Sequence, residues 1–348
     1  MTGPSSQPTE PIRVQNHERC GICDSKGIVL YRDQEDRLFG AGGSWTLKRC
    51  PTPSCGLVWL DPTPLREDIV KAYAHYYTHT FRAPADAEGW VRRAYDLVRR
   101  SYLSNRYRYP GDRTVATTSL LSGLVRLLPS RRHKIDLSVR FLSFVPGGRL
   151  LDVGCGAGEW LESMSLLGWK AIGVDFDERA VASGRSRGID VRLGAIQDQR
   201  FEAEQFDAVT LHHVIEHVPD PIETLRECKR VLKRDGKLIL LTPNSASLGH
   251  RVFRSDWRGL EPPRHLNLFS PSSMHAVLER AGFTERRVST ANSAYVWQRS
   301  ARLRAADGRV SEAWVGLLWR ACHLLEHGML PVVPTLGENL VVVAGQLA

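Results

Sequence analysis

The sequence predicts an α/β fold built on a parallel sheet with crossover helices, preceded by a small cysteine-rich β-module and a helical linker. Three observations carry this. From about residue 148 onward, short apolar runs alternate with amphipathic stretches, the pattern of strands joined by crossover helices. The first apolar run leads directly into a glycine-rich turn, in LLDVGCGAGEW. Four of the seven cysteines fall within residues 16–60, beside the strand-like pieces GIVLYR and GLVWL.

The elements of the α/β part follow in order. RLLDVG is a strand, and GAGEWLESMSLLG opens in a turn and becomes a helix. KAIGVD is the second strand, DERAVASGRSRG its helix, and VRLGA and FDAVTLHH the third and fourth strands. DPIETLRECKRVLKRDG is predicted as a helix closed by Gly236, with KLILLTP as the fifth strand. SPSSMHAVLERAGF starts with a Ser270 cap and Pro271 in its first turn and stops at Gly282. GENLVVVAGQ is the last strand. The linear division is then a disordered lead-in over 1–15, a metal-binding module over 16–60 and a helical basic linker or lid over 61–140. The α/β domain fills 141–348, with a helical insertion over 291–336 around SEAWVGLLWRACHLLEH.

Composition narrows the class. A chain of 348 residues that is 42% hydrophobic and 24% charged is an ordinary globular protein. It has no run of eighteen apolar residues, so no transmembrane helix is expected. MTGPSSQPTEPIRVQ lacks the charged head and apolar stretch of a secretory signal. The expected location is therefore cytoplasmic, where thiols stay reduced, with peripheral contact at the inner membrane as a variant. The net charge is +9, and residues 91–140 hold twelve Lys/Arg against three Asp/Glu, an excess of 12 − 3 = 9. Such a stretch draws phosphates, anionic lipid heads or nucleic acid, or is simply a solvated helical face.

Cys20-x2-Cys23 and Cys50-x4-Cys55 are two pairs separated by 26 residues. Four thiolates at these spacings satisfy a tetrahedral ion, and a structural Zn²⁺ would hold together a segment too small to fold on its own core. Cys155, Cys228 and Cys322 are isolated and are expected in the core. Gly154, Gly156 and Gly158 follow the first strand and let the backbone approach a ligand closely. Glu159 discourages a phosphate at the helix start that follows. Asp175 ends the second strand, 175 − 156 = 19 residues past Gly156, where a carboxylate can accept both hydroxyls of a ribose.

The stretch from about 148 to 290 resembles the class I S-adenosylmethionine-dependent methyltransferases. The resemblance rests on Asp152-Val-Gly-Cys-Gly-Ala-Gly158, Val174-Asp175, Phe206-Asp-Ala-Val, HVIEHVPDP, Leu232-Lys-Arg-Asp-Gly236 and Thr242-Pro-Asn244. It implies a Rossmann-like seven-stranded sheet whose last strand is inserted antiparallel. S-adenosylmethionine would lie against Asp152, Gly154, Cys155, Gly156, Gly158, Leu211 and His212, with Asp175 on the ribose and Phe176 flanking the adenine. An Asp often follows the third strand in that family; GAIQ has none, so Ala195, Ile196 and Gln197 are the candidates there. A narrower likeness takes in CGIC, RCPTPSCGLVWLDPTP and DWRGLEPPRHLNLFSPSSM. These resemble bacterial methyltransferases with an N-terminal zinc module, many of which act on glycans, lipids or secondary metabolites.

Residues 213–217, HVIEH, spell an inverted zinc-protease helix. A strand before the motif and Pro219-Asp-Pro221 after it argue against a helix here and place Val214–His217 in a turn. Three readings stay open. His213, Glu216 and His217, with His265 of PPRHLNLF, could hold a second divalent metal, as resemblance to ubiquinone-pathway and small-RNA methyltransferases implies. His213 or His265 could serve as general base for an acceptor hydroxyl. Alternatively, Glu216 and His217 only shape the turn. Trp257, Arg258 and Arg264 are expected to grip an anionic acceptor.

The resulting expectation is methyl transfer to a hydroxyl on a small-molecule, glycan or lipid-linked acceptor. The amphipathic stretch near 311–327 would suit a membrane-associated substrate, or would pack on the core. The rivals are an RNA methyltransferase, which lacks an aromatic-rich basic strand here, and a non-catalytic cofactor-binding or interaction protein.

Overall fold

In the computed structural model, residues 11–74, 89–110, 123, 125, 129–306, 311–330 and 332–346 are described. A seven-stranded sheet is ordered β12-β13-β10-β9-β6-β7-β8. Its strands are β6 (Arg149–Val153), β7 (Lys170–Asp175), β8 (Val191–Leu193), β9 (Phe206–His212), β10 (Leu232–Pro243), β12 (Glu285–Ala291) and β13 (Asn339–Gly345). The pairs β6–β7 and β7–β8 are parallel, and β12–β13 are antiparallel with Val288 opposite Val342. This is the expected Rossmann-like sheet with its last strand inserted antiparallel. β12 carries no strand signal in the sequence, because its ERRVSTA alternates exposed and half-buried positions in place of an apolar run.

Two compact units share the chain. The first takes in residues 1–77, 211–229 and 240–347, the second 78–210 and 230–239. The expected linear boundaries do not follow these units, because the cysteine module and the C-terminal insertion share one core. In the first unit, Trp45, Leu47, Val58 and Leu60 are buried with Phe253, Trp257, Trp297 and Val315. Its four-stranded antiparallel sheet runs β11-β4-β3-β2: β2 (Ile28–Gln34), β3 (Trp45–Arg49), β4 (Val58–Leu60) and β11 (Asn267–Leu268). The fourth strand comes from PPRHLNLF, more than two hundred residues downstream of the cysteines, and Leu268 pairs with Val58. Residues 1–10 of the expected lead-in lie outside the described residues. Val14–Gln15 are not disordered: they form β1 against β5 (Thr63–Pro64), and Arg13 donates to Asp68 from both main chain and guanidinium.

In the second unit, the linker supplies α1 (Trp90–Tyr107) and α2 (Pro129–Ser138). Tyr102 and Tyr107 both donate to the buried Asp136. Helices α3 (Glu159–Leu166) and α4 (Glu178–Ser186) follow β6 and β7. Asp177 caps α4, accepting from the N–H groups of Arg179 and Ala180. Leu161, Val181, Val191 and Cys155 make its buried cluster. Helix α5 (Pro221–Val231) ends five residues before Gly236, earlier than expected. The N–H groups of Glu204 and Gln205 capture the carbonyls of Arg230 and Val231, so the chain leaves in extended form as β10. The remaining helices are α6 (Leu248–Phe253), α7 (Pro271–Arg280), α8 (Ala294–Ala306) and α9 (Glu312–Met329). Ser270 caps α7 as read from the sequence.

Candidate functional site

The glycine turn after β6 belongs to the second unit. Gly154, Gly156 and Gly158 all have left-handed φ, at 70°, 57° and 82°. The N–H groups of Gly154 and Cys155 both reach the carbonyl of Val174 on β7. A Cβ built on Gly156 would meet nothing within 4 Å, so bare backbone borders open space at that position. Asp175 accepts the N–H of Gly156 at 2.7 Å and that of Asp177 at 2.9 Å, which ties the strand end to the turn. Burial pushes its carboxyl above the usual range. Phe176 beside it is 52% exposed. These features fit a nucleoside-bearing ligand, with close backbone approach, an acidic strand end and an open ring beside it.

Several predicted cofactor residues have other occupations. Asp152 is fully buried, bound by Thr210 at 2.7 Å and by the Arg140 guanidinium. Burial raises its pKa against that pairing. Its side chain anchors the end of β6. The side chains of Cys155, Ile196 and Leu211 are buried, so only their main chains can face a ligand. Ala195 is half-buried, and His212 ends β9. Sequence reasoning missed Arg140, which has φ 47° and stacks 3.8 Å over Trp160. A lone arginine at the end of a basic helix gives no pattern that would reveal it.

The histidine turn belongs to the first unit. HVIEH is a turn and not a helix, which removes the protease geometry. His213 has φ 56°, its N–H reaches Leu241, and its Nδ1 lies 3.0 Å from Glu216 Oε1. Glu216 is fully buried, and its other oxygen accepts from Thr242 at 2.9 Å. Burial opposes its charge, but His213, His217 and His265 together hold its pKa down at about 2. The Glu216 carbonyl accepts the N–H groups of Leu266 and Asn267, which brings the PPRHLNLF segment onto the turn. His217 and His265 stand with ring centroids 4.8 Å apart. His217 Nδ1 faces the Arg264 carbonyl at 3.0 Å and the Tyr73 hydroxyl at 2.9 Å. His265 Nδ1 faces the Gly259 carbonyl at 2.7 Å. A carbonyl accepts only from N–H, so both Nδ1 atoms carry a proton. Glu216, His217 and His265 offer ligand atoms within 4.8 Å of one another. Burial pushes His265 down to about 4, which keeps it neutral at pH 7.

Glu216, His217 and His265 thus bring ligand atoms together, His213 joins them only through Glu216, and the expected acceptor grip does not form. Arg264 is fully buried: its guanidinium binds Asp36 through two bonds of 2.8 Å, Glu261 at 2.9 Å and the Ala72 carbonyl at 3.0 Å. It is a strut between PPRHLNLF and the cysteine module. Trp257 is 1% exposed, stacks on His250 and donates to Glu338 at 2.8 Å. Arg258 is half-buried and paired with Glu261. Burial, which no residue-type pattern reveals, overturns the substrate role for Trp257 and Arg264.

The four cysteine sulfurs converge as predicted. Cys20 and Cys55 Sγ are 3.6 Å apart, and Cys23 and Cys50 Sγ 3.3 Å apart. A tetrahedral ion with Zn–S near 2.3 Å sets its sulfurs about 3.8 Å apart, so this donor set fits zinc. A hydrogen bond from Cys55 brings the Cys20 thiol down to about 5. Cys155 and Cys228 are buried as expected, and Cys322 is half-buried.

Residues 128–287 match the family model of a methyltransferase domain. The sheet order and the glycine turn agree with the class I form of that domain's fold. Among curated proteins, the chain is similar to the ubiquinone biosynthesis O-methyltransferase of Xanthomonas oryzae pv. oryzae (strain PXO99A). They are 43% identical over 107 residues, 28% of this chain and 44% of that protein. The protein of the same name from Xanthomonas axonopodis pv. citri (strain 306) is 34% identical over 149 residues, 39% of this chain and 62% of its own. The chain thus spans about half the length of the curated relatives it matches. A solved Thermotoga maritima structure, titled a SAM-dependent methyltransferase and possible histamine N-methyltransferase, is 20% identical. It covers 74% of this chain and 94% of its own, with a TM-score of 0.42.

Proposed function

We propose that the protein is an S-adenosylmethionine-dependent O-methyltransferase for a hydroxyl on a small-molecule or lipid-linked acceptor. The observation that carries this is the glycine turn: Gly156 with open space at its Cβ position, held by the carboxylate that would bind the ribose. The name of the similar curated proteins supports oxygen as the methylated atom. The cofactor supplies an activated methyl group, so the protein's share is alignment and removal of the hydroxyl proton. His213 suits proton removal. Its Nδ1 faces the buried Glu216 carboxylate, which orients the ring, and its side chain is 39% exposed. His265 is too deeply buried for that task.

A second reading has its own observation. The Nδ1 atoms of His217 and His265 are oriented by main-chain carbonyls, the usual outer-shell arrangement of metal-ligating histidines. A divalent ion held by Glu216, His217 and His265 would supply Lewis-acid chemistry, and two nitrogens with one oxygen favour Zn²⁺, Fe²⁺ or Mn²⁺ over Mg²⁺. The cysteine cluster is proposed as a structural Zn²⁺ site. Peripheral membrane contact is supported by α9, which leaves Leu317, Leu324 and Leu325 at 59%, 69% and 60% exposure on a chain of net charge +9. No helix among the described residues is long and apolar enough to cross a membrane.

The test is methyl transfer from labelled cofactor into a bacterial extract separated into lipid, small-molecule and RNA fractions. Label in an alkali-stable methyl ether of the first two fractions is expected. Label confined to RNA, or none in any fraction, would overturn the reading. Flotation with phosphatidylglycerol vesicles tests the membrane contact, with Leu324→Glu/Leu325→Glu expected to abolish it.

A further inference from the structure

Within the first unit, the segment Arg264–Leu268 is held from two sides. One side meets the histidine turn. The Arg264 carbonyl faces His217 Nδ1, the N–H groups of Leu266 and Asn267 reach the Glu216 carbonyl, and the Asn267 amide donates to the Val218 carbonyl at 3.2 Å. The other side meets the N-terminal part of the chain. The Leu266 carbonyl accepts the N–H of Leu60 at 3.1 Å, Leu268 pairs with Val58, and the Arg264 guanidinium holds Asp36 and the Ala72 carbonyl. Ala72 and Tyr73 are buried at the end of a short 3₁₀ helix, Arg66–Tyr73, whose Asp68 is fastened to Arg13. So placed, the Tyr73 hydroxyl stands 2.9 Å from His217 Nδ1, with the two rings edge to face at 6.0 Å. Nδ1 thus has two oxygens in reach, this hydroxyl and the Arg264 carbonyl at 3.0 Å. The χ2 torsion of histidine has a broad well, so hydrogen bonds decide where the ring stands. A proton forked between two oxygens fixes it where a single acceptor would let it swing.

We propose that Tyr73 is a positioning residue for His217, so that the N-terminal part of the chain completes the histidine turn. One arginine governs both oxygens of the fork: the Arg264 carbonyl is the first, and its guanidinium, through the Ala72 carbonyl, places the second. A ring fixed in this way keeps its place beside Glu216 and His265, with which it offers ligand atoms within 4.8 Å of one another. The proposal rests on the reading that this turn performs the chemistry of methyl transfer.

The experiment measures solvent exchange of the His217 Nδ1–H in full-length protein with ¹⁵N-labelled histidine, purified without chelator. The signal is assigned by its loss in His217→Gln. Tyr73→Phe keeps the ring and removes only the hydroxyl. The matched control is Tyr31→Phe, which removes a hydroxyl 3.1 Å from His250 in the same unit. Tyr73→Phe should speed the exchange about tenfold, and should lower methyl transfer into the extract fraction that the wild type labels by about tenfold or more, with cofactor affinity unchanged. Tyr31→Phe should leave exchange at His217 and methyl transfer at wild-type values. Equal loss of transfer in the two variants would mark general packing and overturn the proposal. So would exchange as fast in the wild type as in Tyr73→Phe, or undiminished transfer by Tyr73→Phe. If the wild type labels no fraction, the functional reading falls, and the exchange rates alone decide whether Tyr73 holds His217.

Discussion

Two turns, each at the end of a sheet strand, do opposite things with side chains. The turn after β6 removes them: three glycines take left-handed φ, Gly156 borders open space, and the carboxylate that ties the turn, Asp175, comes from the next strand. The turn after β9 crowds them. His213, Glu216 and His217 sit within five residues, and His265 is brought in by two main-chain bonds to the Glu216 carbonyl. The first arrangement suits holding a ligand by shape. The second suits handling a proton or an ion, because a buried carboxylate kept anionic by three imidazoles orients whatever stands beside it. The proposed function thus assigns binding to one strand end and chemistry to another, and the difference between the two turns lies in side-chain volume.

That contrast can be broken most sharply at Glu216. Glu216→Gln keeps the shape and removes the charge behind His213. Turnover should fall by about 10²-fold or more, while calorimetric cofactor affinity stays within twofold. An equal loss in both would make the histidine turn part of the binding apparatus. Cys50→Ser comes next: bound zinc by elemental analysis should drop from near one equivalent, and the first unit should lose several kcal/mol of stability. Less than half an equivalent in the wild type would remove the zinc site. Gly156→Ala should weaken cofactor binding about tenfold through the filled cradle, at a folding cost of only about 1 kcal/mol. Unchanged affinity would show that the open space serves nothing.

A pH experiment checks a carboxylate outside both turns. Glu338 is buried, and burial first, with the Glu326 charge second, pushes it up to about 8. The folded value lies above the unfolded one of about 4.5, so the protonated form stabilises the fold. That stability is fully present below about 4.5 and is lost as the pH rises through about 8. The decline is about 1.4 kcal/mol per pH unit inside that window. Thermal melts from pH 6 to 9 should show it in the wild type and not in Glu338→Gln; parallel curves would refute it.

Six of the seven sheet strands were legible because each holds a short apolar run closed by a turn signal, whereas ERRVSTA of β12 holds none, and the glycine turn was legible because its spacing is local. HVIEH was legible as a cluster, and Pro219 and Pro221 marked it as a turn. What could not be read depends on partners distant in the chain. Arg264 and Trp257 look like an acceptor grip in a loop, but Asp36, 228 residues away, and Glu338, 81 residues away, absorb them. The strand Asn267–Leu268 is two residues long and exists only because Val58 and Trp59 pair with it. The contact of Tyr73 with His217 is equally invisible in sequence, since 144 residues separate the two.

The central claim is that the glycine turn and Asp175 bind S-adenosylmethionine, and titration calorimetry tests it most directly. The account predicts saturable one-to-one binding by the wild type and at least tenfold weaker binding by Asp175→Asn, which keeps the size of the side chain. No binding by the wild type, or undiminished binding by Asp175→Asn, would contradict it.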